Sequence, residues 1–361
     1  MRVVNILFNF KKSINQKKIL GVERCFIDYS KGLKDLGNEI IAITKPNMIF
    51  SDEIRENKVK CHEVKAVSII DIFSIIHLAF IFRSFKPDVL ICHSGRAMTL
   101  SRYALKIIFK KIPIVAIDHG INPEKFVKAD FVLPVNSYFA EQYIKNGKPR
   151  DRVMPIPNMI KVPENFKKLK KAKFRKKIRL GALGRLYPEK NFDKVILAID
   201  LLRKKNIECD FVIGGVGPEQ KKLENLATSL NLDNNFRILG WVEDKKKFFS
   251  DIDIFILPSF AETFGIVLLE AMLYSTPIIT SNTWGPSEII QNNKNGIKIS
   301  KDNSARVPQL ISNAILKLNN DQKFASNLAE NAYLDFWNKY SSKKVLEKLN
   351  NILLKAINNC Y

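Results

Sequence analysis

The chain has 361 residues, 46% hydrophobic and 26% charged, with 15 glycines and 15 prolines. That length is enough for two domains with separate cores, and the composition excludes both a disordered chain and a collagen-like fibre. The formal net charge of +23 says nothing of fold, but it points to acidic partners or anionic surfaces.

Taken in chain order, short apolar runs alternate with amphipathic helical stretches, the pattern of parallel α/β domains. Val3–Phe8 reads as a first strand rather than a signal-peptide core, because Lys11 and Lys12 follow at once. Val22–Leu36, stopped by Gly37, reads as a helix. Further strands are expected at Glu39–Thr44, Val89–Cys92, Ile114–Asp118, Phe131–Val135 and Met154–Pro155. The longest apolar run, Ala66 to Phe82, is interrupted by Asp71, Ser74 and His77. It falls short of the ~20 residues that cross a bilayer, so a buried or membrane-facing helix is expected there.

The basic, proline-containing stretch from Pro157 to Lys177 reads as a connector. A second run of strands follows at Arg179–Leu183, Phe211–Ile213, Arg237–Leu239, Ile254–Leu257 and Pro277–Thr280, and Ser341–Asn359 closes the chain as an amphipathic helix. The expected fold class is α/β, with two Rossmann-like domains that hold ligand at the C-terminal ends of their strands. The domains are residues 1–160 and 179–336, with a connector over 161–178 and a terminal helix over 337–361. The five cysteines, Cys25, Cys61, Cys92, Cys209 and Cys360, are scattered and form no CxxC. They read as reduced cytosolic thiols, with neither a disulfide framework nor a zinc site.

The most informative segment is Pro258-Ser259-Phe260-Ala261-Glu262-Thr263-Phe264-Gly265-Ile266, which leads into an apolar helix carrying Glu270. Free N–H groups at such a helix start favour an anion, whereas carboxylates favour hydroxyls. Together they suggest a ligand that is part phosphate and part sugar. Upstream, Gly184-Arg185 ends a strand and Lys190 follows Pro188, offering a planar guanidinium and a compact ammonium for phosphate. As isolated residues they read better as solvated cations.

These segments resemble the family 4 retaining glycosyltransferases, the group 1 glycosyl transferases of GT-B fold. The resemblance runs from about Ile178 to Gly296 in order and spacing, through Gly181–Asn191, Val212–Glu219, Leu239–Val242, Glu262–Glu270 and Glu288–Gly296. It implies two domains facing a cleft, with the terminal helix crossing back onto the first. It also implies a nucleoside-diphosphate sugar donor whose diphosphate is gripped by Arg185 and Lys190. Glu270 would then accept from the ribose hydroxyls. Glu262, with the backbone N–H groups of Phe264, Gly265 and Ile266, would hold the transferred sugar. His119 resembles the family's histidine near that sugar, and Gly184 flanks the diphosphate. His93 also ends a strand, and reads as either structural or ligand-facing. Val242, Asp244 and Lys247 lie where relatives place the base. Such enzymes are often described as reacting on the donor's front face, the leaving phosphate taking the acceptor proton, so that no protein nucleophile is required.

One departure stands out. The family has a glycine pair close after the first strand, but here Lys11 to Ile19 intervene and Gly21 alone precedes Val22. No metal is expected, since Asp251-Ile252-Asp253 precedes a strand and reads as a capping or edge feature. No cofactor beyond the donor is expected.

The charge is unevenly distributed. Residues 1–165 carry 27 basic and 16 acidic side chains, 166–179 carry 9 and none, and 180–361 carry 23 and 20. Basic clusters at Lys11–Lys18, Arg102–Lys111 and Lys167–Arg179 suggest docking to an anionic membrane surface, the second mixing apolar and cationic residues as interfacial helices do. The reading is a cytoplasmic enzyme held peripherally at the inner membrane face, acting on a lipid-linked or envelope glycan acceptor of lipopolysaccharide or capsule type. The alternatives are a soluble-acceptor transferase of starch- or sucrose-synthase type and a nucleic-acid-binding α/β protein. The latter has no recognisable motif here, and no nucleic acid is expected.

Overall fold

A computed structural model describes residues 1–8, 19, 21–120, 124–169, 174–301 and 305–360. The chain divides into two compact units, Met1–Lys161 with Ser342–Tyr361, and Val162–Ser341. Each is built on a parallel six-stranded sheet. The first contains β1 (Arg2–Leu7), β2 (Glu39–Thr44), β3 (Lys60–Glu63), β4 (Val89–Cys92), β5 (Ile114–Asp118) and β6 (Phe131–Pro134), in the order β3-β2-β1-β4-β5-β6. The second contains β7 (Ile178–Leu183), β8 (Cys209–Gly214), β9 (Phe236–Ile238), β10 (Ile254–Leu257), β11 (Ile278–Ser281) and β12 (Ile297–Ile299), in the order β12-β11-β10-β7-β8-β9.

Helices cover both faces, which is why the central strands are continuous apolar runs rather than alternating ones. Val89–Cys92 and Ile254–Leu257 are buried at every residue. In the first unit, Phe26 and Leu33 of the helix Gly21–Asp35 share a core with Val345, Leu349 and Leu353 of the terminal helix Ser342–Asn358. The two helices approach closely at Gly32, where a Cβ would lie 2.2 Å from Leu346 Cδ1.

Several elements differ from expectation. β3 is a half-exposed edge strand and β12 has only three residues, too little alternation or length for a pattern to register. Met154–Pro155 is no strand. Val153 forms one bridge to Val132, and Met154 N and Ile156 N donate to Val132 O and Pro134 O. Pro155 and Pro157 lack the N–H that a longer ladder requires. From Val162 on, the described part of the stretch read as a connector belongs to the second unit. Phe166 meets Tyr274 edge-on, and Phe174 lies against that unit's core. Residues 337–341 also stay with the second unit, so the return to the first begins at Ser342.

The long apolar run becomes the helix Ile72–Phe85, capped by the Asp71 side chain accepting from Ser74 N. Ile75, Leu78, Ala79 and Phe82 are buried, while Phe73 and Phe80 on the outer side are 87% and 73% exposed. Among the described residues no helix is long and apolar enough to cross a membrane.

The exits of β7 and β8 touch backbone to backbone. A Cβ on Gly215 would lie 1.8 Å from Gly184 O, and Leu186 N donates to Val216 O. The glycines after β8 therefore answer to this packing. Gly215→Ala is expected to destabilise the protein by about 1–3 kcal/mol, as overpacking does. Urea denaturation should show a lower midpoint with an unchanged slope.

Candidate functional site

In the second sheet the strand order reverses between β7 and β10, so the connections leaving them run to opposite sides and a crevice opens at their C-terminal ends. Gly184 and Arg185 leave β7, and a single helical turn, Pro188–Lys190, follows. Asn191 then adopts a left-handed conformation, φ 55°, which turns the chain into the helix Phe192–Arg203. Its Nδ2 donates to Pro258 O at 3.2 Å, and Phe260 N donates to Glu189 O at 3.0 Å. These two bonds tie the turn after β7 to the turn after β10.

The consequence is an ion pair. Lys190 Nζ donates to Glu262 Oε2 at 2.6 Å, with the two side chains only 13% and 14% exposed. Glu262 sits in a turn closed by Gly265, φ +88°, from which the helix Ile266–Leu273 starts. The first N–H groups of that helix have no partner within it. The turn rests on Gly285, whose N donates to Glu262 O at 3.2 Å and whose Cβ would lie 2.2 Å from Phe264 Cα. Glu270 faces Lys245, its Oε2 3.2 Å from Nζ, a charged contact rather than an aligned hydrogen bond. Burial pushes the Glu270 carboxyl up, and the Lys245 charge pulls it back.

The remaining expected residues fall around this centre in different ways. Arg185 is exposed, and its guanidinium lies 4.8 Å above the Tyr187 ring. Gly184 N donates to Gly214 O, and Val242 packs over Gly214, where a Cβ would meet its Cγ2 at 2.5 Å. Asp244 caps the helix Lys245–Asp251 by accepting from Lys247 N at 2.9 Å. Asp253 accepts from Arg179 N and pairs with Arg175. Lys245, Asn191 and Gly285 were missed by sequence reasoning. The Gly-Pro step at Gly285-Pro286 is a turn signal that could have exposed one of them, whereas nothing local marks Lys245.

In the first unit, His93 follows β4 and His119 follows β5. Their rings stack, with centroids 5.5 Å apart and planes 10° from parallel, and His93 Nδ1 lies 3.2 Å from His119 Nε2. His93 Nε2 lies 2.9 Å from Asn5 Oδ1. Asn5 Nδ2 already donates to Phe26 O and Ser30 Oγ, so its Oδ1 accepts and His93 carries its proton on Nε2. The Cys25 sulfur joins the pair, all three ligand atoms lying within 4.8 Å of one another. Residues distant in sequence thus meet where the interior strands β4 and β5 end beside the helix Gly21–Asp35, a His/Cys grouping that the scattered cysteines did not announce. Burial pushes the Cys25 thiol up, the His93 ring down, and the His119 ring down to about 4. All three groups are uncharged near neutrality. Gly21 opens its helix exposed to solvent. The cluster Lys11–Lys18, the path before Gly21 and part of Lys167–Arg179 lie outside the described residues.

The Lys190–Glu262 contact generates a direct test. Lys190→Ala, Glu262→Ala and the double variant, compared by urea denaturation without ligand, should give a coupling energy of about 0.5–2 kcal/mol. Additive effects would mean that the two side chains are not paired in solution.

The family model described as "Glycosyl transferases group 1" matches residues 163–335, and that described as "Glycosyltransferase Family 4" matches residues 19–162. A poly(ribitol-phosphate) alpha-N-acetylglucosaminyltransferase of Staphylococcus aureus (strain COL) is 27% identical over 56% of this chain and 39% of that protein. The chain thus spans well under two thirds of that relative. The lipopolysaccharide core biosynthesis glycosyltransferase LpsE of Rhizobium meliloti (strain 1021) is 23% identical over 91% of this chain and 94% of its own length. Among solved structures, Anabaena Alr3699/HepE in complex with UDP superposes with a TM-score of 0.81 at 17% identity, covering 98% of this chain and 100% of that one.

Proposed function

The chain belongs to the group 1 glycosyl transferases, and on that premise we propose that it moves a sugar from a nucleoside diphosphate to a lipid-linked or envelope glycan, with retention at the anomeric carbon. The observation that carries this reading is the Lys190–Glu262 pair, held at the strand reversal with Glu270 one helix turn and a half away. Lys190 has three donors, so an arriving diphosphate can take one of them while Glu262 is freed to accept from sugar hydroxyls. The N–H groups of Phe264, Gly265 and Ile266 assist Glu262. Arg185 swings from Tyr187 to the second phosphate. Glu270 has a buried acceptor without an aligned donor, a natural seat for the ribose hydroxyls, and Val242 lines the base.

Charge placed in advance around the leaving diphosphate is the largest contribution such a site makes. The C1–O bond to phosphate breaks, the acceptor oxygen bonds C1 from the same face, and the acceptor proton passes to the leaving phosphate oxygen. No protein nucleophile and no metal enter that scheme. Glu262 and Glu270 serve different parts of the donor, unlike the two carboxyls of a glycosidase, which flank one bond.

Docking at the cytoplasmic membrane face draws support from the outer side of the helix Ile72–Phe85. Ile72, Phe73, Ile76 and Phe80 are exposed there, and Val67, Ile69 and Ile70 precede them. The neighbouring helix Gly95–Ile107 and the residues after it add exposed Tyr103, Ile107 and Phe109 beside Arg102, Lys106, Lys110 and Lys111. An anionic leaflet attracts each nearby cation by about 1 kcal/mol, and the apolar side chains bury into it.

Two outcomes are expected. A thermal-shift panel of nucleotides and nucleotide sugars, beginning with the UDP series, should show stabilisation by one base, surviving EDTA and lost in Lys190→Ala. Lys190→Ala and Glu270→Ala should each slow transfer at least a hundredfold, about 2.7 kcal/mol in barrier. Stabilisation by no nucleotide, with near-normal rates in both variants, would remove the donor assignment. The second outcome concerns vesicles. The protein should co-sediment with anionic vesicles at moderate salt, and Phe73→Asp with Phe80→Asp should weaken that binding severalfold. Failure of the wild type to bind would favour a soluble acceptor.

A further inference from the structure

We infer that Cys25, His93 and His119 form a binding site for one borderline-soft divalent cation, with zinc the natural occupant. This goes beyond the transfer reaction proposed above and uses none of the Lys190–Glu262–Glu270 residues. The donor set is a sulfur and two imidazole nitrogens, the set that zinc prefers and that magnesium and calcium do not.

The geometry supports it at three points. The first is the spacing of the nitrogens. Two imidazoles on a tetrahedral zinc, each at about 2.05 Å, place their nitrogens about 3.3 Å apart. His93 Nδ1 and His119 Nε2 are 3.2 Å apart here. The Cys25 sulfur completes the group, within 4.8 Å of one ligand nitrogen on each histidine.

The second point is the outer shell. Metal-bound histidines donate their other N–H to a carbonyl or carboxylate, which fixes the tautomer and aims the lone pair. Asn5 does this for His93, accepting from Nε2 at 2.9 Å. Asn158 stands against His119, and its buried Oδ1 has no hydrogen-bond partner. It is available to accept from an outer N–H of His119. His119 Nε2–H can donate to His93 Nδ1 at 3.2 Å when no ion is bound, and with its proton on the outer nitrogen both inner nitrogens turn their lone pairs to one point.

The third point is the surroundings. The rings of Phe26 and Tyr29, on the helix Gly21–Asp35, lie 5.6 and 6.1 Å from His93, so the site is walled by aromatic surface on the helix side. A buried thiol does not ionise alone, but a coordinated one does so outright. Binding therefore forms one S–metal and two N–metal bonds and releases one proton, from the Cys25 sulfhydryl. The neutral imidazoles release none. His119 is the partly exposed member of the three, so entry and a fourth, solvent ligand lie on its side. A bound ion occupies His119 Nε2 and competes with any other use of that nitrogen.

The test uses the full chain, stripped with chelator and titrated with Co²⁺. One equivalent should produce a near-ultraviolet thiolate-to-cobalt band with visible bands of tetrahedral intensity, displaced by Zn²⁺, and one proton should appear per ion in weak buffer. Cys25→Ser should lose the thiolate band. His119→Ala, at the more exposed position, should weaken cobalt binding at least tenfold while its circular dichroism and melting match the wild type. Cys61→Ser with Cys360→Ser should leave every signal intact. No thiolate band in the wild type, an unchanged band in Cys25→Ser, or loss of the band in the Cys61/Cys360 variant would each overturn the assignment.

Discussion

The constraint on which the candidate donor site depends is the reversal of strand order between β7 and β10. Right-handed crossovers that leave two adjacent parallel strands in opposite directions must cover opposite faces of the sheet. The chain ends of those two strands are therefore left uncovered side by side, and whatever leaves them must be held in place locally. Asn191 and Phe260 supply that hold through bonds to Pro258 O and Glu189 O. Glycine supplies the rest, because Gly215 and Gly285 sit where backbone meets backbone and no Cβ fits. The Lys190–Glu262 pair is the product of this packing rather than its cause.

That pairing changes how the cation is to be understood. A lysine alone at a strand end would be hydrated and mobile. Partly buried against a carboxylate, it is held in one place, and its charge is already compensated until an anion arrives. In the donor reading proposed above, the site is ordered in advance and one contact rearranges when the diphosphate enters. Glu270 and Lys245 repeat the theme a helix turn and a half further on, with burial opposing the carboxylate's charge and the lysine restoring it.

The first unit obeys the same topological rule with different chemistry at its strand ends. Its reversal lies between β1 and β4, and β4 and β5 deliver His93 and His119 into stacking contact. Asn5, from within the adjacent strand β1, sets the tautomer of one ring. The two neutral rings can share one N–H···N bond at that spacing, or the cation proposed above.

How much of this was legible beforehand divides along one line. Strands such as Glu39–Thr44, Val89–Cys92, Ile114–Asp118 and Ile254–Leu257 were readable to the residue, because burial on both faces leaves an uninterrupted apolar signature that needs no partner to interpret. The ordered motifs from Gly181 to Gly296 likewise carried the resemblance to the group 1 glycosyl transferases, whose model matches residues 163–335, and that resemblance pointed to Glu262, Glu270, Arg185 and Lys190. Edge strands β3 and β12, the absence of a strand at Met154–Pro155, and the exact return point of the terminal helix were not readable, since edges and boundaries depend on what lies alongside. The same holds for Lys190 meeting Glu262, Lys245 meeting Glu270, and Cys25 joining two histidines. Sequence determines which side chains exist and which strands they follow. Which of them touch is decided only when the sheet order brings distant strand ends together, because contact is a property of neighbours in space and carries no local period.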